Sequence, residues 1–211
     1  PAAILLTHHH HDHIGGVPAL LERWPNLPVW APRDERIPFA THRVGDGDTV
    51  QTGVWRFEVI TVPGHTDSHI AFHGHGVLFS GDTLFSLGCG RLFEGSPAQM
   101  LQSLDRLAGL PPQTLVCCGH EYTRSNASFA LAVEPGNADL RKRSEEVERM
   151  RAQHRPTLPS TLASELACNP FLRIDAPQVR ASLAGRVAPD QRNDRVALFA
   201  ALRAWKDGFA G

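Results

Sequence analysis

The sequence predicts an α/β protein with a helical C-terminal part, and three observations carry that expectation. Short apolar runs bounded by Gly, Pro and Asp recur from Ala2 to Cys118, the pattern of brief buried strands. Two stretches between them, residues 18–24 and 97–108, carry helical character instead. Beyond Tyr122 the strand pattern stops and charged amphipathic stretches take over. The expected parts are residues 1–121 and 122–211.

Each element has a local reason. Residues 2–6 (AAILL) form an apolar run feeding a histidine-rich loop, and so read as a buried strand. Gly15 and Gly16 permit a sharp turn, and Pro25 closes the short helix that follows. Residues 28–31, 49–51, 54–62, 70–72 and 76–80 are β-type runs between turn residues. In 97–108, Met100, Leu101, Leu104 and Leu107 share one helix face. Residues 114–118 (TLVCC) read as the last buried strand. Residues 138–153 and 192–207 are the expected C-terminal helices, with a proline-containing connector at 155–160 between them.

A chain of 211 residues, 42% hydrophobic and 20% charged, can bury a core without a covalent staple. A net charge of -1 offers no field that gathers nucleic acid or anionic lipid, so neither partner is expected. No apolar run approaches the ~20 residues that span a bilayer. The four cysteines, Cys89, Cys117, Cys118 and Cys168, form no C-x-x-C pair. Reduced thiols fit a cytoplasmic protein, and a monomer is expected.

Chemistry concentrates in histidine. Of the twelve histidines, five stand in residues 7–16, THHHHDHIGG. His8, His10, Asp12 and His13 form an H-x-H-x-D-H pattern there. Residues two apart on an extended strand end point the same way, so His8 and His10 can share one metal. Asp12 and His13 then project from the turn towards a neighbouring site, while His9 and His11 have the opposite parity and are not expected to be ligands. The competing readings are an affinity-tag scar or a solvated loop. Against both, three more strand ends deliver a glycine and a metal-type ligand: Gly64 with His65, Gly81 with Asp82, and Gly119 with His120.

The set THHHHDH, PGHT, GDT and GHEYT resembles the metallo-β-lactamase superfamily. GCGRLFEG and the C-terminal R-x-x-K-D narrow the resemblance to glyoxalase II, the hydroxyacylglutathione hydrolases, over essentially the whole chain. It implies an αββα sandwich with a helical, substrate-binding C-terminal domain. It implies that His8, His10 and His65 hold one divalent ion, Asp12, His13 and His120 a second, and Asp82 both. Zinc is the expected metal, with iron and manganese compatible with the same donors. It further implies cleavage of S-(2-hydroxyacyl)glutathione, such as S-D-lactoylglutathione, to a 2-hydroxy acid (D-lactate) and glutathione. That is the second step of methylglyoxal detoxification. A hydroxide bridging the metals, with Asp12 and Asp82 as catalytic carboxylates, is the expected attacking group. Arg91, Phe93, Tyr122, Arg203 and Lys206 are the implied substrate contacts, with Arg203 and Lys206 three apart on one helix face.

Phe93 stands where some members carry a tyrosine, and Ser68 replaces a glycine that commonly follows PGHT. Cys89 reads as a packing residue in a glycine-rich loop. Members place further strands ahead of the position of Pro1, so N-terminal strands are expected to be missing. Rival readings are a lactonase or other hydrolase on the same two-metal core, and a truncated metal-binding protein without activity. A β-lactamase, a one-iron persulfide dioxygenase and an RNA-processing nuclease fit less well, because of Asp82, of His10 with Asp82, and of the near-neutral charge respectively.

Overall fold

Two sheets face each other, and every loop that carries an expected ligand leaves the same edge of them. The computed structural model describes residues 1–209; residues 210–211, the end of the expected C-terminal part, lie outside the described residues. Strands β1 (Ile4–Leu5), β2 (Val29–Pro32) and β3 (His42–Val44) form a parallel three-stranded sheet in that order. Strands β4 (Thr49–Thr52), β5 (Trp55–Thr61), β6 (Ile70–Gly74) and β7 (Val77–Gly81) make an antiparallel meander. After the small β8 (Leu84–Phe85) and β9 (Gly88–Cys89) ribbon, β10 (Leu115–Cys118) joins parallel to β7, and β11 (Ser160–Thr161) closes that six-stranded sheet.

Helices cover the outside of both sheets. One layer holds the single turn α1 (His11–Ile14) and α2 (Val17–Arg23), where Ile14 and Val17 pack with Val29, Ala31 and Ile37. Between the sheets lie Val44, Val50, Phe57, Val59, Ile70 and Phe72, joined by Leu5 and Trp30. The largest cluster lies outside the six-stranded sheet. There Val62, Leu78 and Val116 meet Met100, Leu104 and Leu107 of α3 (Pro97–Ala108) and Phe129, Phe171, Phe199 and Leu202 of the helical part. The order is helix, sheet, sheet, helix, as expected.

Sequence and structure part in places. The histidine loop is not all loop, since residues 11–14 wind into α1. Helices α4 (Thr123–Val133), α6 (Leu162–Cys168) and α7 (Pro177–Leu183) were not expected, because their small and buried residues give little amphipathic contrast. α5 (Ala138–Ala152) matches its expectation closely, whereas α8 (Arg195–Asp207) starts three residues late. Asp194 sets that start by accepting the Val196 and Ala197 amides at 2.9 and 3.3 Å. The strand pattern also does not stop at Tyr122: β11 is too short for any periodicity, yet it pairs with β10. No helix among the described residues is long and apolar enough to cross a membrane.

The helical part grips the loop between β8 and β9 by its backbone. Buried Glu165 accepts the Leu87 amide at 2.7 Å, and Asn126 donates to the Ser86 carbonyl at 3.0 Å. Asn169 donates to the carbonyls of Phe85 (3.2 Å) and Gly88 (3.0 Å). Leu87 is fully buried at φ 59°, a left-handed conformation that a non-glycine residue keeps only when its surroundings fix it. Asn169→Ala strips the donor from two buried carbonyls. It is expected to lower stability by about 1–3 kcal/mol, read as a lower urea midpoint at constant m; an unchanged midpoint would show that the loop holds itself.

Candidate metal centre

Four loops bring seven side chains into one nest. His8 and His10 follow β1, His65 follows β5, Asp82 follows β7 and His120 follows β10; α1 supplies Asp12 and His13. His10 Nδ1 lies 3.2 Å from His8 Nε2 and 3.0 Å from His65 Nε2. His13 Nε2 lies 3.2 Å from His120 Nε2, which is 3.1 Å from Asp12 Oδ2. Asp82 stands between these groups. Its Oδ2 is 3.5 Å from His65 Nε2 and 3.4 Å from His120 Nε2, and its Oδ1 is 3.3 Å from His13 Nε2. Three-membered sets with donor atoms close enough for one ion are His8, His10 and His65; His8, His13 and Asp82; and Asp12, His13 and His120.

This donor set fits cations and little else. Ring nitrogens 3.0–3.2 Å apart can share a proton pairwise, but not as a group. Burial, reinforced by His69, His13, His65 and His10, pushes His8 far below its ordinary pKa, so it stays a neutral lone-pair donor. Burial likewise lowers His10 and His65. Burial opposes charge at both His13 and Asp82, yet their mutual attraction prevails: His13 is raised and Asp82 lowered. Asp82 Oδ1 is buried without a well-formed hydrogen bond. His65 Nδ1 donates to the Arg91 carbonyl at 2.8 Å, which leaves Nε2 as the donor atom facing the nest. This nest of His and Asp donors suits a binuclear metal site.

Two glycines are required by the crowding. Gly81 sits at φ 49°, and a side chain there would strike Thr7 and the His69 ring. A side chain at Gly119 would collide with Asp82 Oδ1 and His13.

The nest forms one wall of a cleft of about 580 Å³. Phe93 stands at its rim, edge-on to His10 and His65 with ring centroids 5.4 and 5.2 Å away. Tyr122 stacks on His120 at 5.1 Å. Arg203 is buried, donating to the Cys89 carbonyl at 2.8 Å and to Asp207 at 3.0 Å. Exposed Arg91 reaches the same Asp207 carboxylate at 3.5 Å. Lys206 donates to the Ser125 carbonyl at 3.2 Å. Arg203 and Arg91 thus share the one Asp207 carboxylate, and with Lys206 beside them this corner stays positive. Cys89 is buried, its thiol pushed up to about 11 by burial, as befits a packing residue and not a nucleophile.

The sequence reading gave no role to His69, which is fully buried. It accepts the Asp82 amide at 3.1 Å and stacks on His8 at 4.6 Å. Its place four residues after His65 was the only available signal. It also assigned nothing to Asp34, Arg36 or Glu94. His9 and His11 stand outside the nest, as their parity predicted: His9 faces Asp34 and Glu94, and His11 is exposed.

His8 and His69 (the latter pushed down to about 3 by burial) stay neutral in the fold but take protons freely when unfolded below pH 6.5. The unfolded state then binds more protons, so stability falls as pH drops below 6.5. The metal-stripped protein should melt lower at pH 5 than at pH 7 in calorimetry; a higher melting point at pH 5 would contradict the buried neutral rings.

Comparison with known proteins agrees with this frame. Residues 1–120 match the model of the metallo-beta-lactamase superfamily, and residues 121–209 match that of the hydroxyacylglutathione hydrolase C-terminus. A hydroxyacylglutathione hydrolase of Xylella fastidiosa (strain 9a5c) is 59% identical over 211 residues, covering 99% of this chain and 81% of the relative. Among solved structures, ETHE1 from Myxococcus xanthus aligns with a TM-score of 0.61 at 26% identity, over 97% of this chain and 76% of that one. TTHA1623 in a di-iron-bound form aligns with a TM-score of 0.50 at 36% identity, over 57% of this chain and 70% of that one. With both halves matched and so near a relative, the chain belongs to the hydroxyacylglutathione hydrolase family of the metallo-beta-lactamase superfamily.

Proposed function

We propose that this protein hydrolyses the thioester of S-(2-hydroxyacyl)glutathione, with S-D-lactoylglutathione as the type substrate, to a 2-hydroxy acid and glutathione. The observation that carries the reading is the make-up of one cleft. His10, Asp12, His65, Asp82 and His120 line one side, and Arg91, Arg203 and Lys206 line the other. A peptide thiol with carboxylates suits the cationic side, and an acyl carbon suits the ligand side.

His8, His10 and His65 would hold one divalent ion, Asp12, His13 and His120 another, with Asp82 shared. Zinc is the proposed metal, and iron or manganese suits the same donors. Bound there, such ions supply Lewis acidity and a water that ionises near neutral pH. Asp82 fixes the spacing of the two groups from its buried position. Asp12, half out in solvent, can accept a proton at its outward oxygen. Phe93 and Tyr122, both exposed at the rim, would flank the acyl end. The departing thiolate, with a pKa near 8.5, needs no strong acid, which accounts for a cleft without one. Monomeric, cytoplasmic action belongs to the same proposal.

The direct test is turnover of S-D-lactoylglutathione beside an acyl-homoserine lactone by the same zinc-loaded sample; a preference for the lactone would overturn the reading. Asp82→Ala is expected to abolish turnover and to lower metal content below two ions per chain. Wild-type kcat in that variant would remove Asp82 from the shared position. Lys206 adds a pH signature. Burial, then Arg203 and Arg91, push its ammonium down to about 8. The charge is therefore present below pH 8 and lost above it. KM should rise as pH passes through 8, and Lys206→Arg should flatten that rise; an unchanged slope in the variant would place Lys206 outside substrate recognition.

A further inference from the structure

A second polar cluster lies behind the nest, away from the cleft. Arg36 donates to Asp34 through Nε (2.9 Å) and Nη2 (2.7 Å), and to Glu94 through Nη1 (2.5 Å). Asp34, nearly fully buried, also accepts the Ser68 hydroxyl at 2.5 Å. Glu94 accepts the Asp67 amide at 2.9 Å. The His9 ring lies between the two carboxylates, Nδ1 3.5 Å from Asp34 and Nε2 3.5 Å from Glu94, while its ring packs 4.9 Å from that of His10. Arg43 of β3 fixes the turn that carries Asp34 and Arg36. It donates to the carbonyls of Pro32 (3.1 Å), Asp34 and Ile37 (2.8 Å).

These contacts join separate segments at one point: the turn after β2, the loop with His8 and His10, the loop with His65, and the loop with Phe93. None of them reaches Asp12, His13 or His120. We infer that Asp34, Arg36, Glu94 and Ser68 are positioning residues, a clasp that sets the loops of the His8, His10 and His65 group and leaves the other group to its own supports. The inference rests on the two-metal reading above. It gives Ser68 a role, since a glycine there has no hydroxyl to offer Asp34. A planar guanidinium is needed at residue 36, because one cation must hold two carboxylates in fixed relative orientation.

The test uses the full chain, stripped with a chelator and titrated with zinc against a chromophoric competitor. Arg36→Lys, Asp34→Asn and Ser68→Ala are compared with wild type. The last removes only a hydroxyl, which protects the test against misfolding. In each, one zinc should bind more weakly, by about tenfold in Asp34→Asn, while the other is held as in wild type. Repeating Asp34→Asn in two backgrounds assigns the weakened ion. The effect should vanish with His10→Ala and persist with His120→Ala. Equal weakening at both ions, no weakening in any variant, or an effect surviving His10→Ala would overturn the clasp. Failure of the parent reading looks different: wild type itself would take up fewer than two ions, and the comparison on the remaining ion would still judge the clasp.

Discussion

Everything in this molecule accommodates the burial of imidazoles against one another. A neutral histidine in an apolar setting is tolerable, but several with nitrogens in contact have no mutual hydrogen-bonding solution without a shared cation. The protein meets that demand by making the nest from loops and the loops from rigid roots. Five of the nest residues stand within a few residues of a strand end, Asp12 and His13 ride on α1, and the strands are locked by apolar contacts on both faces of the larger sheet. The directions of these side chains are set in part by groups outside the nest.

Those outside supports are backbone groups as often as side chains. The Arg91 carbonyl sets the His65 tautomer, and His69 takes the Asp82 amide. Glu165, Asn169 and Asn126 together hold the turn that follows Asp82. That turn and β11 tie the two halves of the chain together, so the boundary near residue 121 in the sequence is not a boundary in the hydrogen bonding. The helical part is as much a scaffold for the centre as a wall of the cleft.

How far this was legible in the sequence follows from the range of each interaction. The seven nest residues were readable because four stand in one H-x-H-x-D-H motif and the other three each follow a glycine at a strand end. Helix α3 was readable because one face is apolar, and α5 because its dense run of charges is broken by Leu140 and Val147 at helical spacing. β3, β8, β9 and β11 were not, since two or three residues carry no period and form only where a neighbouring strand already exists. The clasp was invisible for a similar reason: Asp34, Arg36, Ser68 and Glu94 are ordinary surface residue types, and only the fold brings them to one point. Arg203 was read as a substrate contact beside Lys206, and nothing in the sequence signalled that its guanidinium also holds Cys89 and Asp207.

That occupied guanidinium reaches further than its own helix. Arg203 holds the carbonyl of Cys89, and two residues along the same chain segment the carbonyl of Arg91 holds His65. A load path therefore runs from the final helix into the first group of imidazoles through two hydrogen bonds and a short stretch of peptide. Helix α8 thus serves as a buttress for a ring donated by the first half of the chain. Loosening that helix would slacken the hold on the His65 ring, which Arg203 never touches.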